Sequence, residues 1–88
     1  MKIIKYWIPT LGYTRDSSYS FQTKLTDHDL IAEAAANEYF SNHDGWENKW
    51  PLDFNVEIDN KVYEFEIELE TMPSFSARLR NEIPQKAD

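Results

Sequence analysis

The side chains best suited to chemistry in this chain are concentrated in one short stretch, HDGWENKWP, which begins at His43. It holds one of the two histidines, one of the two glycines and two of the three tryptophans. A histidine beside carboxylates, here Asp44 and Glu47, is a common form of general base. Trp46 and Trp50 lie four residues apart, so one helical turn places both rings on the same side. The stretch predicts a structural plug, an aromatic binding platform with His43 and Glu47 at its rim, or a catalytic pair.

The rest of the sequence offers little further support for catalysis or metal binding. It has no cysteine, which excludes thiolate nucleophiles and disulfides, and it has no glycine-rich phosphate loop or nucleophile motif. His28 and His43 fall at opposite ends of the predicted helix, about 20 Å apart at about 1.5 Å per residue, so they cannot share a metal ion. The sequence therefore predicts a protein that is not an enzyme, with no catalytic residue, no cofactor and no metal.

A second candidate site is a row of acidic side chains in the C-terminal half. Between positions 52 and 71 apolar and acidic residues alternate, as in strands with one buried and one open face. Residues 45–77 carry eight acids against two bases, so most of the excess negative charge falls on one predicted hairpin. We predict that this acidic face meets a partner. Its residues are Asp53, Glu57, Glu64, Glu66, Glu68 and Glu70.

The register of that hairpin depends on where its two-residue turn falls. A turn at 60–61 places Glu57 opposite Glu64, whereas a turn at 59–60 keeps the same open face and shifts the pairs. In both registers like charges lie beside each other across the strands, which lowers stability. The acidic face is therefore either a solvated surface partly offset by cations on neighbouring strands, or a docking surface for a basic partner. The candidate cations are Lys5, Arg78 and Arg80.

Composition limits the classes of function. The chain of 88 residues is predicted to form one domain over residues 1–83, followed by a loose tail at 84–88. Its net charge of −7 disfavours direct contact with nucleic acid or an anionic membrane, and favours basic partners that include nucleic-acid-binding proteins. No apolar run approaches the roughly 20 residues of a membrane span, and the first residues do not resemble a signal peptide. The predicted location is the cytoplasm.

Hydrophobic periodicity predicts an α+β domain, in which one helix packs on one face of an antiparallel sheet of three to five strands. The predicted element order is β(β)αββ(β), where brackets mark the weaker strands. Strands are predicted over residues 2–8, within 18–25, over 52–58, over 63–71 and near 75–79.

The single helix is predicted to run from an N-cap at Thr26 to about residues 41–44. Gly45 then suits a left-handed C-terminal cap. The run of three alanines at residues 34–36 allows the helix to lie close to the sheet. The predicted apolar stripe consists of Leu30, Ile31, Ala34, Ala35 and Tyr39.

The helix and the corner that follows it resemble a known group of sequences. The letters IAEAA from Ile31, followed by HDGWE and then by Trp50 and Pro51, are similar to a scattered group of small uncharacterised bacterial and phage proteins. Those proteins share an alanine-rich helix, an HDGWExxWP corner and a two-strand ending. The resemblance covers a little over half of the chain, and it implies no activity, substrate or site residue.

Two hypotheses of different classes follow. In the first, the protein is a small cytoplasmic interaction module whose acidic face binds a basic surface of a larger protein, as a phage-type inhibitor or nucleic-acid mimic does. In the second, it is a small ligand-binding or enzymatic domain that uses the corner of His43, Trp46 and Trp50. A homodimer formed through an exposed edge strand is a third possibility.

Overall fold

The computed structural model describes residues 1–43, 45–71 and 74–83, without the side chains of Trp46, Thr71 and Ile83. The predicted α+β domain is confirmed: one antiparallel sheet has the strand order β2-β1-β3-β4-β5, and a single α-helix packs on one of its faces. The elements are β1 (Lys2–Trp7), β2 (Tyr19–Thr23), α1 (His28–Asn42), β3 (Leu52–Ile58), β4 (Lys61–Thr71) and β5 (Ser74–Ile83).

Alternation along the strands divides the sheet into a helix face, which packs against α1, and an open face on the other side. The helix face carries the core, in which Tyr6, Phe54 and Phe65 are fully buried. Phe54 is central, because its ring lies within 6 Å of the rings of Tyr6, Tyr39 and Trp50. Each such side chain contributes about 1.5–3 kcal/mol when fully buried, so the aromatic residues account for much of the core of this small domain.

The turn between β3 and β4 falls at Asp59 and Asn60, so the alternative turn at 60–61 is wrong. Both turn residues have positive φ, 51° and 68°, as a type I′ hairpin turn requires. Asp and Asn tolerate this conformation better than most residues, whereas Lys61 is poorly suited to it. The resulting register places Asp53 opposite Glu66 and Glu57 opposite Val62.

Helix α1 begins one residue later than predicted. Asp27, not Thr26, is the N-cap, and its Oδ1 accepts hydrogen bonds from the backbone N–H groups of Asp29 and Leu30. The predicted apolar stripe is also rotated, because Leu30 is 48 % exposed. The buried residues of the helix are Ile31, Ala32, Ala35, Ala36 and Tyr39.

The helix ends at Asn42, and the residue that follows, His43, is its C-cap. Gly45 is therefore not the predicted left-handed cap, and its φ is not positive. Gly45 instead opens a short 3-10 turn that lies directly against the helix. A Cβ atom at this position would come within 2.7 Å of the Phe40 Cα atom and the Tyr39 ring. Glycine is needed here for close packing.

The last strand, β5, is longer than the predicted short strand and forms one edge of the sheet. Its pairing with β4 is interrupted by two bulges, in which Arg80 on β5 and Glu70 on β4 are the extra residues. The Glu33 carboxylate of α1 accepts a hydrogen bond from the Ala77 N–H of this strand at 3.4 Å. The helix thus satisfies one backbone donor of an edge strand.

Residues 8–18, which join β1 to β2 and which we call the strap, cover part of the open face. The strap contains two 3-10 turns that pack against β3 and β1. Its Arg15 Nη2 lies 2.9 Å from the Glu57 carboxylate. Trp7 and Glu57 both belong to the open face by register, yet they are only 8 % and 9 % exposed. The open face is therefore solvated only over part of its area.

Candidate functional site

The structure brings the acidic residues of β3 and β4 onto the open face, as the alternation predicts. The observed register separates several of them, because Asn55 lies opposite Glu64 and Val62 opposite Glu57. Between β3 and β4, Asp53 and Glu66 are the one directly opposed pair of like charges among the described residues. The cost of like-charge pairing is therefore limited to one position.

Arginines of β5 compensate this one pair. The Arg80 guanidinium lies 3.2 Å from the Asp53 carboxylate and 3.8 Å from the Glu66 carboxylate, so it bridges both acids. Arg78, also on β5, lies 2.6 Å from the other carboxylate oxygen of Glu66. Such partly exposed pairs contribute about 0–1 kcal/mol each, and they place a positive charge beside both acids. Asp53 and Glu66 are thus held by internal partners.

Glu57 differs from the other acids because the strap buries it. Its Oε2 atom is bound to Arg15, whereas its Oε1 atom is buried and has no hydrogen-bond partner among the described residues. The neighbouring Asn55 Oδ1 atom on the same face is also buried without a described partner. Glu57 is not available to a large partner, but its free oxygen atom is an unused acceptor.

Three acids of β4 form no ion pair with a lysine or arginine in the described part of the chain. Glu64 is half-buried and accepts a hydrogen bond from Asn81 at 3.3 Å, whereas Glu68 and Glu70 are exposed. Of these three acids, Glu68 lines a shallow depression, together with Glu66, Ser76 and Arg78. This end of β4 is the part of the acidic face that keeps its negative charge.

The residues of the HDGWENKWP stretch lie in separate environments. Trp50 packs on Phe40, Phe54 and Phe75, and its Nε1–H donates a hydrogen bond to the Gly45 carbonyl at 3.2 Å. This arrangement agrees with the predicted structural plug. Glu47 is exposed, whereas Asp44 and the Trp46 side chain lie outside the described residues, so the predicted platform stays a prediction at those positions.

His43 lies in a cluster of polar aromatic residues that includes Tyr19 and Tyr39. Its ring stacks on Tyr19 with a centroid distance of 3.7 Å, and its Nε2 atom lies 3.3 Å from the Glu38 carboxylate. No described ring contact joins His43 to Trp50. The histidine therefore has Glu38 as an acidic neighbour, which the sequence did not suggest, whereas the predicted neighbour Asp44 lies outside the described residues.

Glu38 is the acidic residue of this cluster, and its place close to the apolar stripe of α1 predicts a rim residue in preference to a general base. Its carboxylate accepts hydrogen bonds from the Tyr6 hydroxyl and from the Asn42 side chain. The signal for this role is its spacing, because Glu38 falls seven residues after Ile31, on the buried side of α1. A carboxylate at a core-facing helix position needs donors from the sheet, and Tyr6 of β1 supplies one.

Two tyrosines of the cluster have shifted acidities. Burial and the hydrogen bond to the Glu38 carboxylate raise the pKa of Tyr6 well above its usual range. A hydrogen bond with Tyr13, together with burial, raises the pKa of Tyr19 to about 12. Both hydroxyls are therefore neutral at physiological pH.

The described residues provide no support for a metal site or for a membrane-spanning helix. They contain no group of three or more His, Cys, Asp or Glu side chains that is arranged to hold a metal ion. They also contain no helix long and apolar enough to cross a bilayer.

Comparison of the chain with models of protein families, with curated proteins and with solved structures finds no match. The resemblance to small bacterial and phage proteins therefore stays a prediction.

Proposed function

We propose that this protein is a small acidic interaction module that binds a basic surface of a larger protein in the cytoplasm. The observation that carries the proposal is the exposed end of β4, where Glu68 and Glu70 have no cationic partner among the described residues. A surface whose acids are unpaired attracts a cationic partner and speeds its association. Basic proteins that hold nucleic acid fit this description, as expected for a phage-type inhibitor or nucleic-acid mimic.

The distribution of charge supports a partner of this kind. Residues 25–48, which comprise α1 and its flanks, contain six acids and no lysine or arginine. The sheet, in contrast, receives cations from Arg15, Arg78 and Arg80. Negative charge therefore remains uncompensated in two regions, the end of β4 and the flank of α1. A basic partner can use either region, and the experiment has to distinguish them.

The test compares three forms of the protein as bait for partners from a native lysate of a bacterial host. The first is the wild type, and the second carries Glu64→Gln, Glu68→Gln and Glu70→Gln. The third is matched in charge and carries changes on the flank of α1. Those changes are Asp29→Asn, Glu33→Gln and Glu47→Gln. Circular dichroism melting of each form confirms that it is folded before capture is compared.

We expect the wild type to capture a basic protein at low salt and to lose it at high salt, because screening shortens the Debye length from about 10 Å at 0.1 M to about 3 Å at 1 M. The β4 variant should lose most of the binding of the purified partner, and the α1 variant should retain it. Retention by the β4 variant and loss by the α1 variant would transfer the site to the helix. A salt-insensitive partner that binds all three forms would contradict acidic docking and direct attention to His43 and Trp50.

A further inference from the structure

The two edges of the sheet differ in how they are protected against pairing with another strand. An open edge invites such pairing, and proteins block it with charged residues, bulges or a covering element. β5 has all three devices. Arg78 and Arg80 are exposed, and two bulges interrupt the pairing of this strand with β4. Glu33 of α1 also accepts a hydrogen bond from the Ala77 N–H group, so the edge at β5 is poorly suited to a further strand.

The opposite edge, at β2, has none of these devices. Tyr19–Thr23 contains no charged residue and no proline, and its register with β1 is continuous. In the described part of the chain, no element other than β1 forms a hydrogen bond with its backbone. At five residues, β2 has the usual length of a strand. Its outward N–H and C=O groups are thus open to a further strand.

Unpaired charges of opposite sign flank the β2 edge. Asp16 lies in the 3-10 turn before β2, and Lys24 directly follows the strand. Both side chains are exposed, and neither forms an ion pair with a described residue. When such a strand pairs antiparallel with a copy of itself, each base lies at the end that carries the acid of the other copy. The β2 edge is therefore complementary in charge to itself.

The distribution of charge over the chain favours the same edge for contact between two copies. Residues 1–26 carry one acid and four bases, whereas residues 27–88 carry fifteen acids and five bases. Two copies that met through α1 or through the end of β4 would bring acids together and repel each other. Contact through β2 avoids this repulsion, because residues 17–26 contain no acid.

We propose that two copies of this chain form a dimer through β2, with the two strands antiparallel around a two-fold axis at Phe21. Phe21 is the middle residue of β2, so this register pairs the whole strand with its copy. It places Ser20 of each copy opposite Gln22 of the other. The ring of Phe21, which is half-buried on the helix face, meets its own copy across the axis. Lys24 comes beside the end of the partner strand that follows Asp16.

The dimer should be weak and concentration-dependent, because only five residues of each copy pair. Sedimentation equilibrium of the full chain covers concentrations from about 10 μM to about 1 mM. The average mass should rise over this range from the monomer value of 10.4 kDa toward twice that value. Hydrogen exchange of the β2 backbone amides should slow over the same range, whereas exchange in β5 should not change. A constant monomer mass, or protection that appears in β5 and not in β2, would overturn the proposal.

Three double variants test the register. Ser20→Lys with Gln22→Lys places like charges opposite each other across the axis and should keep the protein monomeric up to about 1 mM. Ser20→Lys with Gln22→Glu places opposite charges there and should dimerise at least as tightly as the wild type. Ser76→Lys with Asn81→Lys adds the charge of the first variant to β5 and should leave dimerisation unchanged. Dimers of the first variant as tight as the wild type, or loss of the dimer in the β5 variant, would overturn the proposal.

Circular dichroism melting of each variant shows whether it is folded. If the first variant is unfolded, the concentration dependence of hydrogen exchange in the wild type decides between the β2 edge and the β5 edge. The result is independent of the proposed basic partner, because β1 and β3 separate β2 from the acids of β4.

Discussion

The Tyr6 hydroxyl and its Glu38 partner predict how stability depends on pH in the alkaline range. Because burial and Glu38 raise the pKa of Tyr6 in the folded state, the unfolded chain releases this proton first, at a pH of about 10. Stability is therefore fully present below about pH 10 and is lost as pH rises above it. Tyr19, with its pKa raised to about 12, adds to the same loss.

Replacing Tyr6 with phenylalanine should remove part of this dependence. At neutral pH we expect Tyr6→Phe to lower the free energy of unfolding by about 0.5–1.5 kcal/mol, because Glu38 loses a donor. Between pH 9 and pH 11, in contrast, the variant should lose less stability than the wild type. Urea unfolding at several pH values measures both effects. Parallel curves for the two proteins would contradict this account of Tyr6.

Substitutions of the two glycines should lower stability for different reasons, namely steric overlap at Gly45 and backbone conformation at Gly12. Gly45→Ala should destabilise the protein by about 1–3 kcal/mol through overpacking, because the new methyl group meets the backbone of Phe40. Gly12 has φ of +88° and open space around its Cα atom, so its replacement is limited by conformation alone. Gly12→Asn should therefore cost less than Gly12→Ala, since asparagine tolerates positive φ. Asparagine at position 45 should be at least as damaging as alanine, and a milder effect would contradict close packing there.

Individual site residues could be predicted from the sequence only in part. Strand alternation places Glu64, Glu66 and Glu68 correctly, because side-chain direction follows from local geometry. The burial of Glu57 depends on Arg15, which lies 42 residues earlier in the chain. His43 likewise finds its acidic partner on the helix and its stacking partner on β2. Pairings that arise only from tertiary folding leave no periodic signal in the sequence.

Among the elements, the start of α1 offers a direct test of capping. Asp27→Ala should destabilise the protein by about 1 kcal/mol, because the backbone N–H groups of Asp29 and Leu30 lose their acceptor. Thr26→Ala, one residue earlier, should have little effect and serves as the control. Chemical denaturation of both variants gives the comparison. A larger loss for Thr26→Ala would support the N-cap predicted from sequence and contradict the observed one.

The elements themselves were largely predictable, and the exceptions have physical causes. Long alternating runs identify β3 and β4, and the alanine-rich segment identifies α1. The N-cap was misplaced because Thr26 and Asp27 are both good caps, and only the hydrogen bonds distinguish them. The full length of β5 was missed because bulges and charged residues such as Arg78 and Arg80 interrupt its alternation. The strap carries no periodic pattern, so its packing over the open face was not predictable.

For the whole molecule, the distribution of charge along the sequence differs from the distribution of charge in the folded structure. Along the sequence, most of the excess negative charge falls on the β3–β4 hairpin. Folding then adds three arginines from distant positions to that sheet, whereas residues 25–48 gain no ion pair to lysine or arginine among the described residues. The sheet is therefore compensated except at the end of β4, whereas the helical side has no such compensation among the described residues. Electrostatic self-repulsion should be greatest where acids lack such partners.

This distribution predicts that two pairs of acid-to-amide substitutions with equal charge change have opposite effects. Glu47→Gln with Glu70→Gln removes two exposed acids without cations and should raise stability by a few tenths of a kcal/mol at low salt. Asp53→Asn with Glu66→Gln removes the partners of Arg78 and Arg80 and should lower stability by about 0.5–1 kcal/mol. The urea midpoints of both variants and of the wild type are measured at about 10 mM and at about 1 M salt. At low salt the midpoint of each variant should differ from that of the wild type, and at high salt the midpoints should converge. If both pairs stabilise the protein equally, total charge governs its stability and the arginine pairs contribute nothing. Effects that persist at high salt would instead indicate that packing changes are responsible.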